Sequence, residues 1–325
     1  VTKIKDQKIE TKSEIKNIIL VLEKNILSDY HIPLCFWMSR YYFQSLALIF
    51  KTVVPEIPKR KINIARQEIK EHVKYEDDIS DEYKNHKKIL LIGKQKIETL
   101  LTIIHFYIKN KKQILILLPE LVSIKVFIEN YKKILNGISL EVITSEKTHA
   151  QIYTIYKKIS RGEIDIVIGT RSAVFAPFSN LGLIIVEDEE DPSFKQWDQN
   201  PRYNARDVAI KVAELCNAQI ILKSLAPQVT TYAKKYKDFH IFYENQKNKT
   251  KIHIIDMKEE RKNLNFSIFS NYLADELKKL NGQAILFINR KGTAKAMICR
   301  ECGYIPRCTQ CNLPYSYYED NISNL

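Results

Sequence analysis

No run of apolar residues in this 325-residue chain reaches the roughly 18 that a membrane helix requires, so a helical membrane span is not expected. No secretory leader is visible either, because residues 1–10 are mostly charged and polar. The chain opens on Val1 rather than Met, which points to a chain cut or processed at its start. No internal repeat and no low-complexity segment interrupts it. Cysteine is sparse, with six residues in all. Cys35 and Cys216 sit alone within apolar helical patterns and read as core residues. The other four cluster near residue 305. With no secretory signal a disulfide framework is not expected, and metal ligation is the leading reading of that cluster. Arginine is scarce beside lysine, 11 against 40.

Apolar residues are plentiful. At 45% hydrophobic the chain is no disordered polymer, and its length suffices for two domains and a large core. The net charge of +13 suits a polyanionic partner such as nucleic acid. It suits equally a lysine-rich solvated surface of the kind an A·T-rich genome produces. The few arginines are more informative, since only a guanidinium offers a planar fork to phosphate or carboxylate. Arg171, Arg202, Arg206, Arg290, Arg300 and Arg307 all lie in the motif-bearing segments described below.

Residues 12–27 have helical spacing, with Ser13 as a possible N-cap. A second helix is predicted to start at Ser28-Asp29 and run through Trp37, Tyr41, Tyr42 and Leu46, ended by Pro55 and Pro58. Residues 59–87 are dense in charge and read as a linker with a short helix near 62–72. From Lys88 onward, β-like Ile/Leu/Val runs alternate with helical stretches. The runs cover 88–93, 113–118, 139–144, 164–168, 182–187, 218–222, 251–256 and 284–288, and the helices 96–110, 120–135, 147–161, 205–216, 228–236 and 266–280. Near-continuous branched apolar runs suit strands buried on both faces, so an α/β fold with a parallel sheet covered by helices is expected. Ligands of such sheets bind at the carboxyl ends of the strands.

Two of those strand ends carry motifs. Gly-Thr-Arg-Ser-Ala-Val-Phe-Ala-Pro-Phe occupies 169–178, directly after one run. The run at 182–187 ends in Glu187-Asp188-Glu189-Glu190-Asp191, then Ser193-Phe194-Lys195-Gln196 and Arg202-Tyr203-Asn204-Ala205-Arg206-Asp207. Adjacent carboxylates at a strand end can hold Mg²⁺ and orient water; a row of acids also makes an ordinary solvated turn. Near the end, Cys299-x2-Cys302 and Cys308-x2-Cys311 form two CxxC knuckles, a zinc signature.

In this order, and with Leu118-Pro119-Glu120, Arg161-Gly162-Glu163, Asp256-Met257-Lys258-Glu259-Glu260 and Phe287-Ile288-Asn289-Arg290 added, these segments resemble the primosomal protein N′ (PriA) replication-restart DNA helicases. The likeness covers roughly residues 15–318. It implies a superfamily 2 (RecA-like) helicase lobe at 88–245, preceded by a helical remnant of a DNA-binding domain at 1–60 and a charged linker at 61–87. A connection and the start of a second lobe would follow at 246–298, and a partial zinc-binding module at 299–325. The implied partners are forked or single-stranded DNA, primosome and replicative-helicase loading proteins, and single-stranded DNA-binding protein, in a bacterial cytoplasm and with no membrane. The implied cofactors are Zn²⁺ and ATP/Mg²⁺. Arg171, Lys195, Arg202, Arg206 and Arg290 fall where the family would meet DNA. Arg171 could instead tie its loop to Glu187 or Asp188.

The departures from the family are as specific. Its Gly-rich phosphate loop ending in Gly-Lys-Thr is here Gly93-Lys94-Gln95-Lys96-Ile97-Glu98-Thr99. That is about three residues short, so Gly93, Lys94 and Lys96 are the candidate phosphate contacts, without a nest of amides. The family's Asp-Glu-Glu-His becomes Glu187-Asp188-Glu189-Glu190, with Glu187, Asp188 and Glu189 as candidate Mg²⁺ and water ligands; a one-residue slip would restore an Asp-Glu pair. Its Gly-Ser-Ala-Thr-Pro-Ser becomes Lys223-Ser224-Leu225-Ala226-Pro227-Gln228. The family nests eight cysteines around two zinc ions, so Cys299, Cys302, Cys308 and Cys311 would half-build both sites, or collapse onto one ion. The second motor lobe supplies the family's charge-stabilising arginine, and the chain reaches only the start of that lobe. The expected function is binding of forked or branched DNA for primosome assembly, with an inactive ATPase. The rivals are an active ATP-dependent 3′–5′ DNA helicase and a non-functional fragment of a decaying gene.

Overall fold

The protein is described by a computed structural model that covers residues 27–58, 81–93, 97–131, 137–234, 238–243, 251–287, 296–299 and 301–315. The predicted helices at 12–27 and 62–72, and Lys94, Lys96, Arg290 and Arg300, lie outside these residues apart from Leu27. The chain divides into one compact unit through Asn248 and another from Lys249.

The first unit is built on a seven-stranded, wholly parallel sheet. Its strands are β1 (Lys88–Ile92), β2 (Gln113–Leu117), β3 (Leu140–Ile143), β4 (Ile166–Gly169), β5 (Leu181–Val186), β6 (Gln219–Ser224) and β7 (His240–Tyr243), in the order β3-β4-β2-β5-β6-β1-β7. Strand residues alternate between two cores. Ile89, Leu91, Ile114 and Ile116 pack with α4 (Ile97–Lys109) and α5 (Leu121–Tyr131). Leu90, Leu115, Leu117 and Val186 pack with α6 (His149–Ser160) and α7 (Ala205–Cys216). The parallel α/β fold expected from the alternating runs is therefore the one observed. Local chemistry sets the helix ends: Thr148 and Gln151 form a capping box at α6, and Asn204 caps α7, which stops at a left-handed Asn217. At the end of β4 a Cβ on Gly169 would stand 2.4 Å from the Ile143 carbonyl oxygen, so only glycine permits the approach of β3 there.

Ahead of the sheet, α1 (His31–Tyr41) and α2 (Leu46–Val53) replace the single helix predicted to start at Ser28-Asp29, run through Leu46 and end at Pro55 and Pro58. The break falls at Phe43, whose φ of 51° lies in the left-handed region. Both helices bury apolar side chains (Leu34, Met38, Ile49, Val53) in the α6/α7 core. Tyr30 Oη donates to the Ala176 carbonyl, and His31 Nε2 donates to the Phe175 carbonyl at 3.0 Å. Cys35 is fully buried and Cys216 half-buried. A short α3 (Asp81–Lys84) precedes β1, and α8 (Val229–Lys234) follows β6.

Two predicted strands are corrected. The runs at 251–256 and 284–288 join no ladder among the described residues, and Ile252, Ile254, Ile285 and Phe287 are exposed. In that second unit the regular elements are α9 (Met257–Lys262) and α10 (Asn271–Lys279), capped by Asp256 and Ser270. No helix among the described residues is long and apolar enough to cross a membrane.

Candidate functional site

The candidate residues gather where the strands end. β1 is followed by Gly93, whose φ of 109° suits glycine alone and whose N–H donates to the Ser224 carbonyl at 2.9 Å. Lys94 and Lys96 follow outside the described residues, and α4 begins at Ile97.

β5 delivers the acids. Val186 pairs with Leu222 of β6, so Glu187 and Lys223 leave the sheet as neighbours. Lys223 Nζ lies 2.6 Å from Glu187 Oε1. Burial raises the Glu187 carboxyl above its usual range, while the Lys223 charge and hydrogen bond pull it back and the charge of Asp188 raises it again. Asp188 turns the chain at φ 48° and reaches solvent; partial burial and the charge of Glu190 raise its carboxyl, Lys223 lowers it, and Asp191 raises it. Glu189 points inward and is buried. Its Oε2 accepts from Arg206 Nη1 at 2.9 Å and from Thr231 Oγ1 at 2.9 Å, and its Oε1 accepts from the Gln228 amide at 2.9 Å. Arg206 also donates to Gln228 Oε1, and through Nε and Nη2 to Asp207 Oδ1 at 3.2 and 3.1 Å.

Two candidate residues are turned inward here. Arg206, placed on DNA by its motif, is buried and turned towards Glu189. Glu189, placed among the Mg²⁺ and water ligands, is satisfied by protein donors. Of the three predicted acids only Asp188 faces solvent without a tethered cation as its hydrogen-bond partner. Lys223, Gln228 and Thr231 were not among the predicted site residues. The signal for Lys223 and Gln228 lay in the altered segment 223–228, where Lys223 stands in place of a family glycine; Thr231 lies beyond it.

Beside the acids, the 3₁₀ turn Arg171–Phe175 follows β4. Arg171 Nη1 donates to the carbonyls of Ser193 and Lys195 at 3.3 and 3.4 Å. It thus braces a loop, though not through the acids Glu187 or Asp188. That loop closes as a narrow ribbon, with Lys195 bridging to Asn204 and the Gln196 N–H donating to the Tyr203 carbonyl at 2.9 Å. Lys195 Nζ donates to the Arg202 carbonyl and lies 5.8 Å from the Tyr42 ring centroid; the Tyr42 hydroxyl accepts from the Asn204 amide at 3.1 Å. The ribbon's tip exposes Arg202 and Trp197, the latter 63% exposed. An exposed guanidinium can meet phosphate, and an exposed indole can stack on a base. Trp197 was another residue the sequence reading missed, since one tryptophan in a polar loop has no periodic signature.

In the second unit each CxxC pair forms its own tight turn. Gly303 (φ 70°) donates to the Cys299 carbonyl at 2.9 Å, and Asn312 (φ 57°) to the Cys308 carbonyl at 2.9 Å. The amide of Cys302, then the Cys302 thiol and the amide of Glu301, lower the Cys299 thiol's pKa; the amides of Cys311 and Gln310, with the Cys311 thiol, do the same at Cys308. Thiolate-favouring turns of this kind fit half of a tetrahedral zinc site each. Among the described residues no three His, Cys, Asp or Glu side chains converge as a metal site.

Residues 1–55 match the family of 3′ DNA-binding domains (PriA 3′BD). The replication restart protein PriA of Rickettsia prowazekii is 34% identical over 338 residues, covering 94% of this chain and 50% of that protein. PriA of Bacillus subtilis is 34% identical over 247 residues, covering 74% of this chain and 30% of that protein. The chain thus spans half or less of the length of these relatives. Among solved structures, the DUF1998 helicase MrfA aligns with a TM-score of 0.38 at 12% identity, over 50% of this chain and 29% of that one.

Proposed function

This chain belongs to the replication restart protein PriA family, and on that premise we propose that it binds forked or single-stranded DNA and serves primosome assembly without hydrolysing ATP. The match of residues 1–55 to a 3′ DNA-binding domain carries the DNA-binding part. The exposed Trp197 and Arg202, held out on a ribbon braced by Arg171, support it, as does the net charge of +13. The loss of hydrolysis is supported by the strand end of β5, where Lys223 and Arg206 hold two of the three acids that would otherwise serve Mg²⁺ and water. The short Gly93–Thr99 loop supports it too. In this reading residues 88–245 are a first motor lobe, kept as a rigid platform for DNA. The CxxC pairs would hold zinc as a structural ion, which organises that module and takes no part in chemistry. Primosome and helicase-loading proteins and single-stranded DNA-binding protein are the proposed partners, in a bacterial cytoplasm.

Fluorescence anisotropy with forked, single-stranded and blunt duplex DNA at two salt concentrations tests the binding. Tighter binding to the fork or single strand, weakening steeply with salt and indifferent to sequence, is expected. Equal, salt-insensitive affinity for all three would remove the proposal. The active-helicase reading keeps one observation on its side, the solvent-facing Asp188 at the strand end.

A further inference from the structure

The acidic end of β5 raises a question that the loss of hydrolysis leaves open: what balances its charge. Five consecutive carboxylates, Glu187 to Asp191, can hold a divalent ion at such a strand end. Here the chain brings its own cations. The β5–β6 register places Lys223 beside Glu187, with the two side chains only 13% and 14% exposed and 2.6 Å apart. Two residues on, Arg206 meets Glu189 at 2.9 Å with side chains 6% and 0% exposed. The Glu189 N–H also donates to the Lys223 carbonyl at 2.9 Å, so both pairs belong to one hydrogen-bonded unit. A divalent ion approaching the same oxygens would be forced against an ammonium already there, with little water to screen the repulsion.

We propose that Lys223 and Arg206 are built-in counter-cations that replace a divalent ion at the acidic end of β5. They hold the Glu187–Glu190 turn shut and tie it to α7 and to the segment between β6 and α8, with or without metal. The proposal rests on the reading of this chain as one that does not hydrolyse ATP, and extends it. Lys223 is the decisive residue, because its ammonium lies 2.6 Å from Glu187 Oε1.

Mn²⁺ is the probe, read by its electron paramagnetic resonance signal and by its effect on thermal unfolding of the full chain. Wild type and Glu187→Gln are expected to take up the same amount of Mn²⁺. Lys223→Ala, which frees Glu187, is expected to bind one further Mn²⁺ at least tenfold more tightly than wild type and to unfold at higher temperature when Mn²⁺ is added. Adding Glu187→Gln to Lys223→Ala removes that gain. A Lys223→Ala chain that folds only with Mn²⁺ supports the proposal as well. A folded Lys223→Ala chain with no added uptake overturns it. Where Lys223→Ala fails to fold at any Mn²⁺ concentration, the comparison of wild type with Glu187→Gln decides: equal uptake supports the proposal, and greater uptake by wild type overturns it. Mn²⁺ held by Glu187 in a chain without ATPase activity would remove this proposal alone, whereas DNA-stimulated ATPase activity in wild type would remove the functional reading beneath it.

Discussion

Glu189 is the most enclosed acid of the β5 turn, and three donors meet its two oxygens. A carboxylate so placed is tolerable only while its partners stay, because an uncompensated buried charge is costly. Arg206→Ala should therefore destabilise the fold by about 3–5 kcal/mol. Urea unfolding checks it as a lower midpoint at unchanged slope, and a loss under about 1 kcal/mol would mean that the pair is solvated like a surface ion pair. The arginines of the ribbon should separate by role. Arg171 is spent on the carbonyls of Ser193 and Lys195, so Arg171→Ala should lower thermal stability and leave the salt dependence of DNA binding unchanged. Arg202→Ala should reduce the slope of log K against log salt by about 0.7–0.9, and Trp197→Ala should weaken single-strand binding by about 1–3 kcal/mol per stacked base. Binding titrations across a salt series distinguish the three. A reduced slope for Arg171→Ala with an unchanged one for Arg202→Ala would reverse the assignment.

Elements were legible where physics made them local. The Ile/Leu/Val runs that became β1 to β6 announce strands buried on both faces, and Thr148 and Asn204 announce helix starts. β7 was missed because its four residues are exposed or half-buried at a sheet edge, and the runs at 251–256 and 284–288 misled because a β-prone sequence makes a strand only beside another strand. The break between α1 and α2 was equally hidden, since Phe43 carries the left-handed turn that Gly or Asn would have signalled. α1 is anchored through His31, which gives a pH test. Burial lowers its pKa below the ordinary 6.5, although the Phe175 and Ser28 backbone groups hydrogen-bonded to the ring act in the opposite sense. A depressed histidine contributes stability that is present above its unfolded value and lost as pH falls through its folded one. Stability should thus fall on acidification from about pH 7. The raised carboxyls of Glu187 and Asp188 tilt the other way, contributing more as pH falls. His31→Asn should flatten the loss between neutral and mildly acidic pH, measured by thermal unfolding; an unaltered pH profile would show that His31 does not titrate with folding.

At the scale of the molecule, the acids of the β5 turn were visible in the sequence and their neutralisation was not. Lys223 lies 36 residues from Glu187 and comes beside it only through the pairing of β5 with β6. Sequence order likewise put Arg206 in a DNA motif, while the packing of α7 turned it to Glu189. At that scale the described residues hold a parallel sheet, and residues 1–55 ahead of it match a 3′ DNA-binding domain. On the proposed reading the chain lacks the open carboxylate pair that hydrolysis requires. Steady-state phosphate release from ATP, with and without saturating forked DNA, is the direct test. Fork binding with no DNA-stimulated turnover, and no change on Asp188→Ala, is the expected result. Turnover that rises with the fork and disappears on Asp188→Ala or Lys96→Ala would contradict it.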